Sequence, residues 1–502
     1  MEAKMSQKKI VVIGSGPGSL SAAMLLSHYG YNVDIFEKHS YIGGRTSDFM
    51  LDGYRFDLGP TFLMMNFVME EIFQLTGRNV SDYMDIRSID PLYRLKYSDK
   101  KEFFPSQDQK YMKDQMDRLF PGEYKNYLKY MKYEKKKFEL LAPCLKIPYL
   151  KLKQYLSLRL LMALPIIDGH QSLYKHLSSF FKAEEMKLAF TFQAKYIGMS
   201  PWDCPATFSI LSYIEHSGGI QHPIGGLNEI TKSMAKIVKE EGGRIHLSKG
   251  VDEILVRNGK AVGIRLEGGE EVAADAVVAG SDFGYTVNNL FAPGTLKKWT
   301  PARTAKKKLS CSTFMLYLGV DKVYDIPHHN ILFAENYKKN VDEMSRHLVA
   351  SEDPSIYLQN ACVTDPGLAP DGGSTIYALV PTANNRSGIP WEEEKDAYKE
   401  RVLDILETRG DLPDLRKHIV TQKIITPTDW EEDKQVYRGA VFNLAHNIGQ
   451  MLYYRPHNAF EDVENCYLVG GGTHPGSGLP TIFESGRISA GLIMKKDAWF
   501  LY

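Results

Sequence analysis

The sequence predicts an α/β fold in which a Rossmann-type, parallel and doubly wound domain is combined with a mixed-sheet domain and a helical subdomain. Three observations support this prediction. Residues 8–38 have the pattern of strand, glycine turn, helix and second strand, and residues 466–494 again pass from a strand through glycines into a helix. Between them, residues 65–215 have a mainly helical pattern, whereas 311–320 and 375–381 have the continuous apolar pattern of buried strands.

The composition excludes several other classes of protein. The 502 residues are 43% apolar and 24% charged, and 61 basic side chains balance 61 acidic ones. These values are typical of a globular chain of about three domains, and not of a disordered chain, a collagen or a coiled coil. Because the net charge is zero, nothing in the overall charge favours nucleic acid as a partner.

The cysteines and the N-terminus predict a reducing compartment. The chain has five cysteines, an odd number with no CxxC spacing, so neither a disulfide framework nor a metal site is expected. The first residues have no apolar region of the kind found in a secretory signal. No apolar run approaches the roughly 20 residues that a spanning helix needs. We therefore expect a cytoplasmic protein that is either free or bound to a membrane surface.

The turn at residues 14–19, GSGPGS, is the first segment that predicts chemistry. Gly14 permits a tight turn, and Gly16 lets the backbone approach a pyrophosphate at the N-terminus of the following helix. Ser19 stands where the third glycine of a GxGxxG fingerprint usually lies. Glu37 ends the second strand, where a carboxylate accepts hydrogen bonds from ribose hydroxyls. Together these features predict dinucleotide binding rather than an ordinary glycine turn.

Local patterns predict the elements that follow this unit. Residues 40–62 are rich in glycine and predict an irregular segment, and 228–241 have the pattern of an amphipathic helix that ends at a glycine pair. Asn258-Gly259 is a hairpin signal between two short strands. The charged run at 392–407 predicts a helix with a solvated face.

Two further glycine-rich segments favour FAD over NAD. Gly43-Gly44-Arg45 follows the ribose-binding strand, and its arginine is suited to pair with phosphate. Residues 467–481 pass from an apolar strand through several glycines into a helix, which places backbone N–H groups beside a ribityl chain or the pyrimidine end of a flavin.

Two titratable residues near this second turn have open roles. His474 lies within the turn and is interpreted mainly as a structural histidine. Glu484 lies near the start of the last helix, where it is either a candidate catalytic base or a carboxylate stabilised by the helix dipole.

The middle of the chain has a local excess of positive charge. Residues 125–175 contain eleven Lys/Arg and three Asp/Glu, and 145–167 mix leucine, isoleucine and tyrosine with spaced lysines. Such a basic amphipathic surface is suited to lie in the headgroup plane of an anionic bilayer, although a helical subdomain with solvated lysines has the same pattern.

Several motifs resemble the flavin-dependent carotenoid desaturases, within the wider flavin amine-oxidase fold shared with GDI-like proteins. The resemblance spans nearly the whole chain and is most specific at 43–61, 192–201 and 467–481. It is closest to the bacterial dehydrosqualene (4,4′-diapophytoene) desaturase branch. Membership implies a two-lobed FAD protein with a hydrophobic substrate tunnel and a helical, membrane-associated subdomain on the cytoplasmic face of the cell membrane. It also implies a long apolar polyene as substrate, and a quinone or oxygen as electron acceptor.

The resemblance also implies a set of cofactor-binding residues. They are Gly14, Ser15, Gly16, Glu37, Lys38, Gly44, Arg45, Gly59, Thr61, Val251, Gly472, Thr473, Leu479, Pro480 and Thr481. This chain departs from the family pattern at Ser19 and at 484–487. The implied division of the chain assigns 1–85, 223–300 and 436–502 to the FAD-binding domain, 86–222 to the helical subdomain and 301–435 to the sheet of the substrate domain.

The expected activity is desaturation of an apolar carotenoid precursor of the dehydrosqualene or phytoene type, with hydride transfer to FAD. Three alternatives remain open. They are an oxidase of terminal methyl groups on the same scaffold, an amine oxidase, and a non-redox lipid-escort protein of GDI-like fold.

Overall fold

The computed structural model describes residues 8–156 and 158–496, so the predicted absence of a leader, which concerns residues 1–7, lies outside the described residues. The described strands are β1 Lys9–Ile13, β2 Asn32–Phe36, β3 Asp48–Leu51, β4 Tyr54–Asp57, β5 Ile86–Ile89, β6 Arg94–Lys96, β7 Glu102–Phe103, β8 Ile220–Pro223, β9 Arg244–His246, β10 Val251–Arg257, β11 Lys260–Leu266, β12 Glu271–Ala273, β13 Ala276–Ala279, β14 Ser312–Val320, β15 His329–Leu332, β16 Ile356–Asn360, β17 Ser374–Thr382, β18 Ile419–Ile425 and β19 Cys466–Leu468.

The described α-helices pack against these strands and against one another. They are α1 Pro17–His28, α2 Asn66–Gln74, α3 Gln109–Leu119, α4 Glu123–Leu141, α5 Leu158–Ala163, α6 Leu173–Ser178, α7 Glu184–Ala189, α8 Ile210–Gly218, α9 Asn228–Glu240, α10 Phe283–Asn289, α11 Pro301–Ala305, α12 Tyr337–Asp342, α13 Trp391–Arg409, α14 Leu415–His418, α15 Pro427–Glu432 and α16 Leu479–Lys496. Among the described residues, no helix is both long enough and apolar enough to cross a bilayer.

A five-stranded parallel sheet organises the first domain, in the order β19-β13-β1-β2-β9. Its strands are almost continuously apolar because helices or a second sheet cover both faces. One face packs on α1, α2, α9 and α16, and the other on α10 and the antiparallel sheet of β10–β12. The two ends of the chain thus meet in one sheet, which confirms the Rossmann-type prediction.

Small residues bring α1 and α16 into close contact. A Cβ atom on Gly486 would lie 2.4 Å from the carbonyl oxygen of Gly18, so only glycine permits this approach. A second glycine accommodates the departure at Ser19. A Cβ atom on Gly280 would lie only 1.8 Å from the Oγ of Ser19, so the absence of a side chain at Gly280 leaves room for the serine hydroxyl. The serine therefore replaces the usual third glycine without separating the helix from the sheet.

A seven-stranded mixed sheet forms the second domain, in the order β18-β14-β17-β16-β15-β6-β7. Only β15 and β6 run parallel, and the other neighbours are antiparallel. The predicted helix α13 covers one face with its buried residues, among them Trp391 and Tyr398, while its acidic residues face solvent. The β3–β4 hairpin covers part of the other face.

Two secondary-structure predictions were wrong. Residues 40–62 are not irregular throughout, because Asp52-Gly53 forms a tight turn with positive φ angles of 48° and 89° between β3 and β4. The region 65–215 is not helical at 86–103, where β6 and β7 extend the seven-stranded sheet and β5 pairs with β8. Tertiary pairing outweighs local propensity in strands this short. The domain boundaries remain a prediction.

Candidate FAD site

The turn between β1 and α1 has the geometry that a pyrophosphate needs. Gly14 has a φ angle of +83°, and a Cβ atom placed on Gly16 would have no other atom within 4 Å. The space above Gly16 is therefore open at the N-terminus of α1, where the free N–H groups of the first turn lie. The conformation and the open space both fit the predicted phosphate site.

Glu37 lies at the carboxyl end of β2, beside this turn. Its Oε2 accepts hydrogen bonds from the backbone N–H (2.8 Å) and the hydroxyl (2.7 Å) of Ser15, and its Oε1 accepts one from the N–H of His39 (2.9 Å). These bonds hold a buried carboxylate in one orientation, as recognition of a ribose requires.

Lys38 and Val251 lie at the same end of the site. The backbone N–H of Lys249 donates to the carbonyl of Glu37 at 2.8 Å, which brings the start of β10, and hence Val251, next to β2. The Lys38 side chain is largely exposed and lies 4.0 Å from Glu267. The structure thus brings both predicted residues to the region around Glu37.

Gly44 and Arg45 pack directly under the phosphate turn. The N–H of Gly43 donates to the carbonyl of Ser15 at 3.0 Å, and a Cβ atom on Gly44 would lie 3.4 Å from Cα of Gly16. Arg45 donates through Nη1 to the carbonyl of Val441 at 2.7 Å, its Nη2 lies 3.8 Å from the buried carboxylate of Asp282, and its side chain is about one-third exposed. This arrangement places a positive charge close to the phosphate turn.

Gly59 and Thr61 follow β4 and lie between the two domains. A Cβ atom on Gly59 would lie 2.5 Å from the carbonyl oxygen of Arg45, so this glycine permits the close approach of the two segments. The hydroxyl of Tyr377 donates to the Gly59 carbonyl at 2.6 Å, and the hydroxyls of Thr61 and Tyr357 lie 2.7 Å apart. Strands of the second domain thus hold this segment against the first.

The turn before α16 contains the remaining predicted residues. A Cβ atom on Gly472 would lie 2.4 Å from Cβ of Phe283, and Thr473 donates through its hydroxyl to the carbonyl of Pro456 at 2.8 Å. Leu479 and Pro480 begin α16, and the Thr481 hydroxyl bonds the carbonyl of Gly478 at 2.8 Å. The N-terminus of α16 therefore follows a rigid glycine turn.

Arg455 supports this turn and was not identified from the sequence. Its side chain is completely buried and donates through Nη2 to the carbonyl of Gly471 (2.6 Å) and through Nε to that of Thr473 (2.9 Å). Burial lowers the pKa of this guanidinium to about 9. No local pattern distinguishes Arg455 from a surface arginine, because its partners are backbone carbonyls of another loop, 16 and 18 residues further along the chain.

His474 is buried within the turn. Burial lowers the pKa of its imidazole to about 3, so the ring is neutral at pH 7. Its backbone N–H donates to the carbonyl of Pro456, its carbonyl accepts from Asn458, and its ring packs edge-on against Tyr149. These contacts favour the structural interpretation.

Glu484 belongs to a group of charged side chains that α16 shares with α2 and the turn at 142–146. Its buried Oε2 accepts from Nε of Arg487 at 2.8 Å, and Nη1 of Arg487 lies 3.6 Å from Glu71, which binds Lys146. Burial raises the pKa of Glu484 while Arg487 lowers it. The catalytic role of Glu484 stays a prediction, and the structure adds a second role as the partner of Arg487.

We expect Glu484→Gln to keep bound FAD and a turnover within about tenfold of wild type, and to lower thermal stability, because the change leaves the buried Arg487 without its nearest charge. Melting temperature and turnover measured on the same preparation test this. A rate that falls by about 10²–10⁴-fold at unchanged stability would instead establish Glu484 as the base.

Comparison with known proteins identifies the family. Residues 20–494 match the family described as flavin containing amine oxidoreductase. A 4,4′-diapophytoene desaturase (4,4′-diapolycopene-forming) from Methylomonas sp is 48% identical over 97% of this chain and 96% of its own. The chain belongs to the flavin-containing amine oxidoreductase family, in its carotenoid desaturase branch. A zeta-carotene-forming phytoene desaturase from Myxococcus xanthus is 35% identical over 97% of this chain and 94% of its own.

Solved structures agree on the fold. An oxidoreductase from Methanosarcina mazei superimposes with a TM-score of 0.64 at 17% identity and covers 97% of this chain and 100% of its own.

This carotenoid desaturase is an FAD-dependent oxidoreductase, as the motifs indicated. The turn conformation at Gly14, the open space at Gly16 and the fixed carboxylate of Glu37 fit that cofactor. The assignment of individual FAD contacts remains a prediction.

Proposed function

We propose that this carotenoid desaturase acts on the thirty-carbon hydrocarbon 4,4′-diapophytoene and converts it to 4,4′-diapolycopene. The observation that carries the proposal is the 48% identity over 97% of the chain to a relative with that printed activity, compared with 35% for the relative that acts on phytoene. The electron acceptor in this proposal is a quinone or oxygen, which reoxidises the flavin after each cycle.

The chemistry follows from the substrate. A polyene has no polar group, so its position depends on the shape of an apolar passage rather than on hydrogen bonds. Bound FAD supplies the acceptor for the hydride that leaves an allylic carbon. The protein has to position the chain, exclude water and take the proton that leaves the neighbouring carbon.

An apolar cleft of about 230 Å³ is the proposed entrance for this chain. It lies between the start of α2, the end of α4 and the end of α8, and its lining includes Met64, Met65, Phe67, Phe138 and Ile214. The ring of Phe67 is 40% exposed and meets Phe138 edge-on. These side chains provide an apolar mouth close to the segment that follows α4.

Production of the protein in cells that accumulate 4,4′-diapophytoene tests the proposal. New visible absorption bands with the spacing of a fully conjugated product support it. If the extract stays colourless while the purified protein is yellow, the substrate is wrong. Carbonyl formation from an already coloured carotene would then indicate the terminal-methyl oxidase. Anaerobic reoxidation of the reduced flavin by added quinone distinguishes the two acceptors.

The proposed location is the cytoplasmic face of the membrane, and an exposed apolar surface supports it. Residues 152–156 and 158–164 expose several leucines, among them Leu156 at 71%, and residues 448–454 expose Ile448 and Tyr454. The first segment and 448–454 meet where the ring of Tyr155 packs edge-on against Tyr453 at 6.3 Å. We call residues 152–156, 158–164 and 448–454 the apolar face. Isolated exposed leucines are ordinary, but a contiguous group marks a contact surface.

Positive charge borders the apolar face. Exposed Lys151 precedes the first segment and exposed Lys153 lies within it, and Nζ of Lys298 lies 5.6 Å from the ring of Tyr453 in the 448–454 segment. This combination of apolar side chains and lysines suits the headgroup region of an anionic bilayer. Residues 448–454 were not identified from the sequence, because they lie about three hundred residues from the segment that they contact.

We expect the double variant Leu152→Glu/Leu156→Glu to bind anionic vesicles at least about tenfold more weakly, since burial of each leucine contributes about 1.5–3 kcal/mol. Sedimentation with vesicles of mixed neutral and anionic lipid measures the effect. Val323→Glu is the matched control, because Val323 is 62% exposed but lies outside the apolar face. Equal binding of the double variant and the control would contradict membrane contact through this face.

A further inference from the structure

Thr61, Tyr357 and His329 form a continuous chain of hydrogen-bonded side chains, which we call the file, from the predicted cofactor segment into the protein interior. The Thr61 hydroxyl lies 2.7 Å from the hydroxyl of Tyr357, which lies 2.8 Å from Nδ1 of His329. Thr61 follows β4, Tyr357 is on β16 and His329 begins β15. The second domain thus directs a histidine toward the segment that carries Gly59 and Thr61.

The other ring nitrogen of His329 is free. The residue is completely buried, and within the part of the chain that the structure describes Nε2 has no hydrogen-bond partner. The ring of Phe62 stacks on the imidazole at 4.3 Å with an interplanar angle of 15° and fixes its orientation. A buried nitrogen without a partner is costly unless a ligand or a proton uses it.

The hydrogen bond at Nδ1 determines what Nε2 can do. If Nδ1 carries the proton and donates to the Tyr357 hydroxyl, which in turn donates to Thr61, Nε2 keeps its lone pair and is a proton acceptor. Burial lowers the pKa of His329 well below 6.5, so the ring is in the neutral, accepting form at pH 7. The other titratable groups around it are His222, His328, Tyr357, Asp57 and Asp365.

A second group of polar side chains lies beside His329, around His328. The ring centroid of His328 lies 4.3 Å from that of His329. The Nδ1 atom of His328 lies 2.8 Å from the hydroxyl of the half-buried Thr364. Gln359 contacts the other nitrogen of His328 at 3.1 Å. Both nitrogens of His328 are thus occupied by Thr364 and Gln359, and in the described part of the chain His328 meets His329 through a ring contact rather than a hydrogen bond.

We propose that His329 is the proton acceptor of the desaturation, with Tyr357 and Thr61 as the positioning residues that hold its tautomer. The inference deepens the proposed function and rests on it. In each cycle a hydride leaves one carbon for FAD, and a proton leaves the adjacent carbon for Nε2 of His329. The electron pair of that second C–H bond forms the new double bond, while the proton already on Nδ1 passes to the Tyr357 hydroxyl and the hydroxyl proton of Tyr357 passes to Thr61. Glu484 is not needed in this step, since its carboxylate is bound to Arg487.

The test combines kinetics with a spectroscopic readout. In FAD-loaded His329→Gln, anaerobic flavin reduction by 4,4′-diapophytoene is expected to slow by about 10²–10⁴-fold, with FAD content unchanged. The rate of the wild type should fall in acid, as His329 becomes protonated below pH 6.5, and His329→Gln should lack this decrease. Burial raises the pKa of Asp57 to about 7, so any effect of Asp57 on the rate falls at a higher pH than the protonation of His329. His418→Gln, a histidine paired with Asp321 far from this file, is the matched control.

Nitrogen NMR of ¹⁵N-histidine-labelled, FAD-loaded wild type reads the tautomer without any turnover. A neutral ring with its proton on Nδ1, whose shift changes in Tyr357→Phe, is expected for His329. A proton on Nε2, or a His329→Gln variant with the wild-type rate and acid decrease, overturns the proposal. Should His329→Gln not fold, the NMR result and Tyr357→Phe kinetics still decide it. Failure of wild-type flavin reduction by this hydrocarbon refutes the proposed substrate, whereas the NMR result remains independent of it.

Discussion

Gly16→Val is expected to give a folded protein that has lost its FAD. A Cβ atom at this position would meet no other atom within 4 Å, and Gly16 has an ordinary extended backbone with φ −70° and ψ 169°. The backbone therefore accepts a residue with a Cβ atom, but the valine side chain fills the space at the N-terminus of α1 into which a pyrophosphate fits. We expect FAD to bind at least about a hundredfold more weakly, a loss of about 2.7 kcal/mol.

Flavin absorbance of the purified variant and titration of the apoprotein with FAD measure this loss. Gly218→Val is the matched control, because its Cβ atom would also meet nothing within 4 Å and it lies at the end of α8. Circular dichroism and melting temperature show whether both variants fold. A yellow Gly16→Val protein with wild-type affinity would show that the phosphates bind elsewhere.

Lys137→Met is expected to destabilise the helical region by about 3–5 kcal/mol. The Lys137 ammonium is completely buried and lies 3.0 Å from the carboxylates of both Glu134 and Asp168. It also donates to the hydroxyl of Ser209 at 2.9 Å, and Glu134 bonds His176 at 2.9 Å. Removal of the lysine leaves two buried carboxylates without their cation, which costs far more than the lost attraction alone.

The apparent midpoint of urea unfolding, followed by fluorescence, measures this effect. Lys135→Met is the matched control on the same helix, because Lys135 is 61% exposed and its ion pair with Glu139 is a surface contact at 3.9 Å. We expect the control to unfold close to wild type. Equal midpoints for the two variants would contradict a stabilising role for the buried cluster, and a shift in Lys137→Met alone would establish it.

Much of the first domain could be predicted from the sequence because its signals are local. The turn at 14–19, the helix α9 and the hairpin at Asn258-Gly259 each depend on residues that are neighbours in the chain. The signal for the β3–β4 hairpin was equally local, since Asp52-Gly53 is a tight-turn pair, and it was overlooked among the surrounding glycines. The strands at 86–103 had no such signal, because they are short and depend on distant partners for their pairing.

The sequence by itself determined the α/β class, the dinucleotide turn, the preference for FAD and the family. Each of these depends on backbone conformations that only certain residues adopt, at spacings set by one strand and one helix. Only the tertiary structure decided the partner of Glu484, the burial of Arg455, the extent of the apolar face and the file that ends at His329. The apolar face and the file at His329 join residues that are far apart in the chain, whereas Glu484 and Arg487 are three residues apart on α16 and only their burial depends on packing. Side-chain hydrogen bonds and burial depend on how sheets and helices pack, which no local pattern specifies.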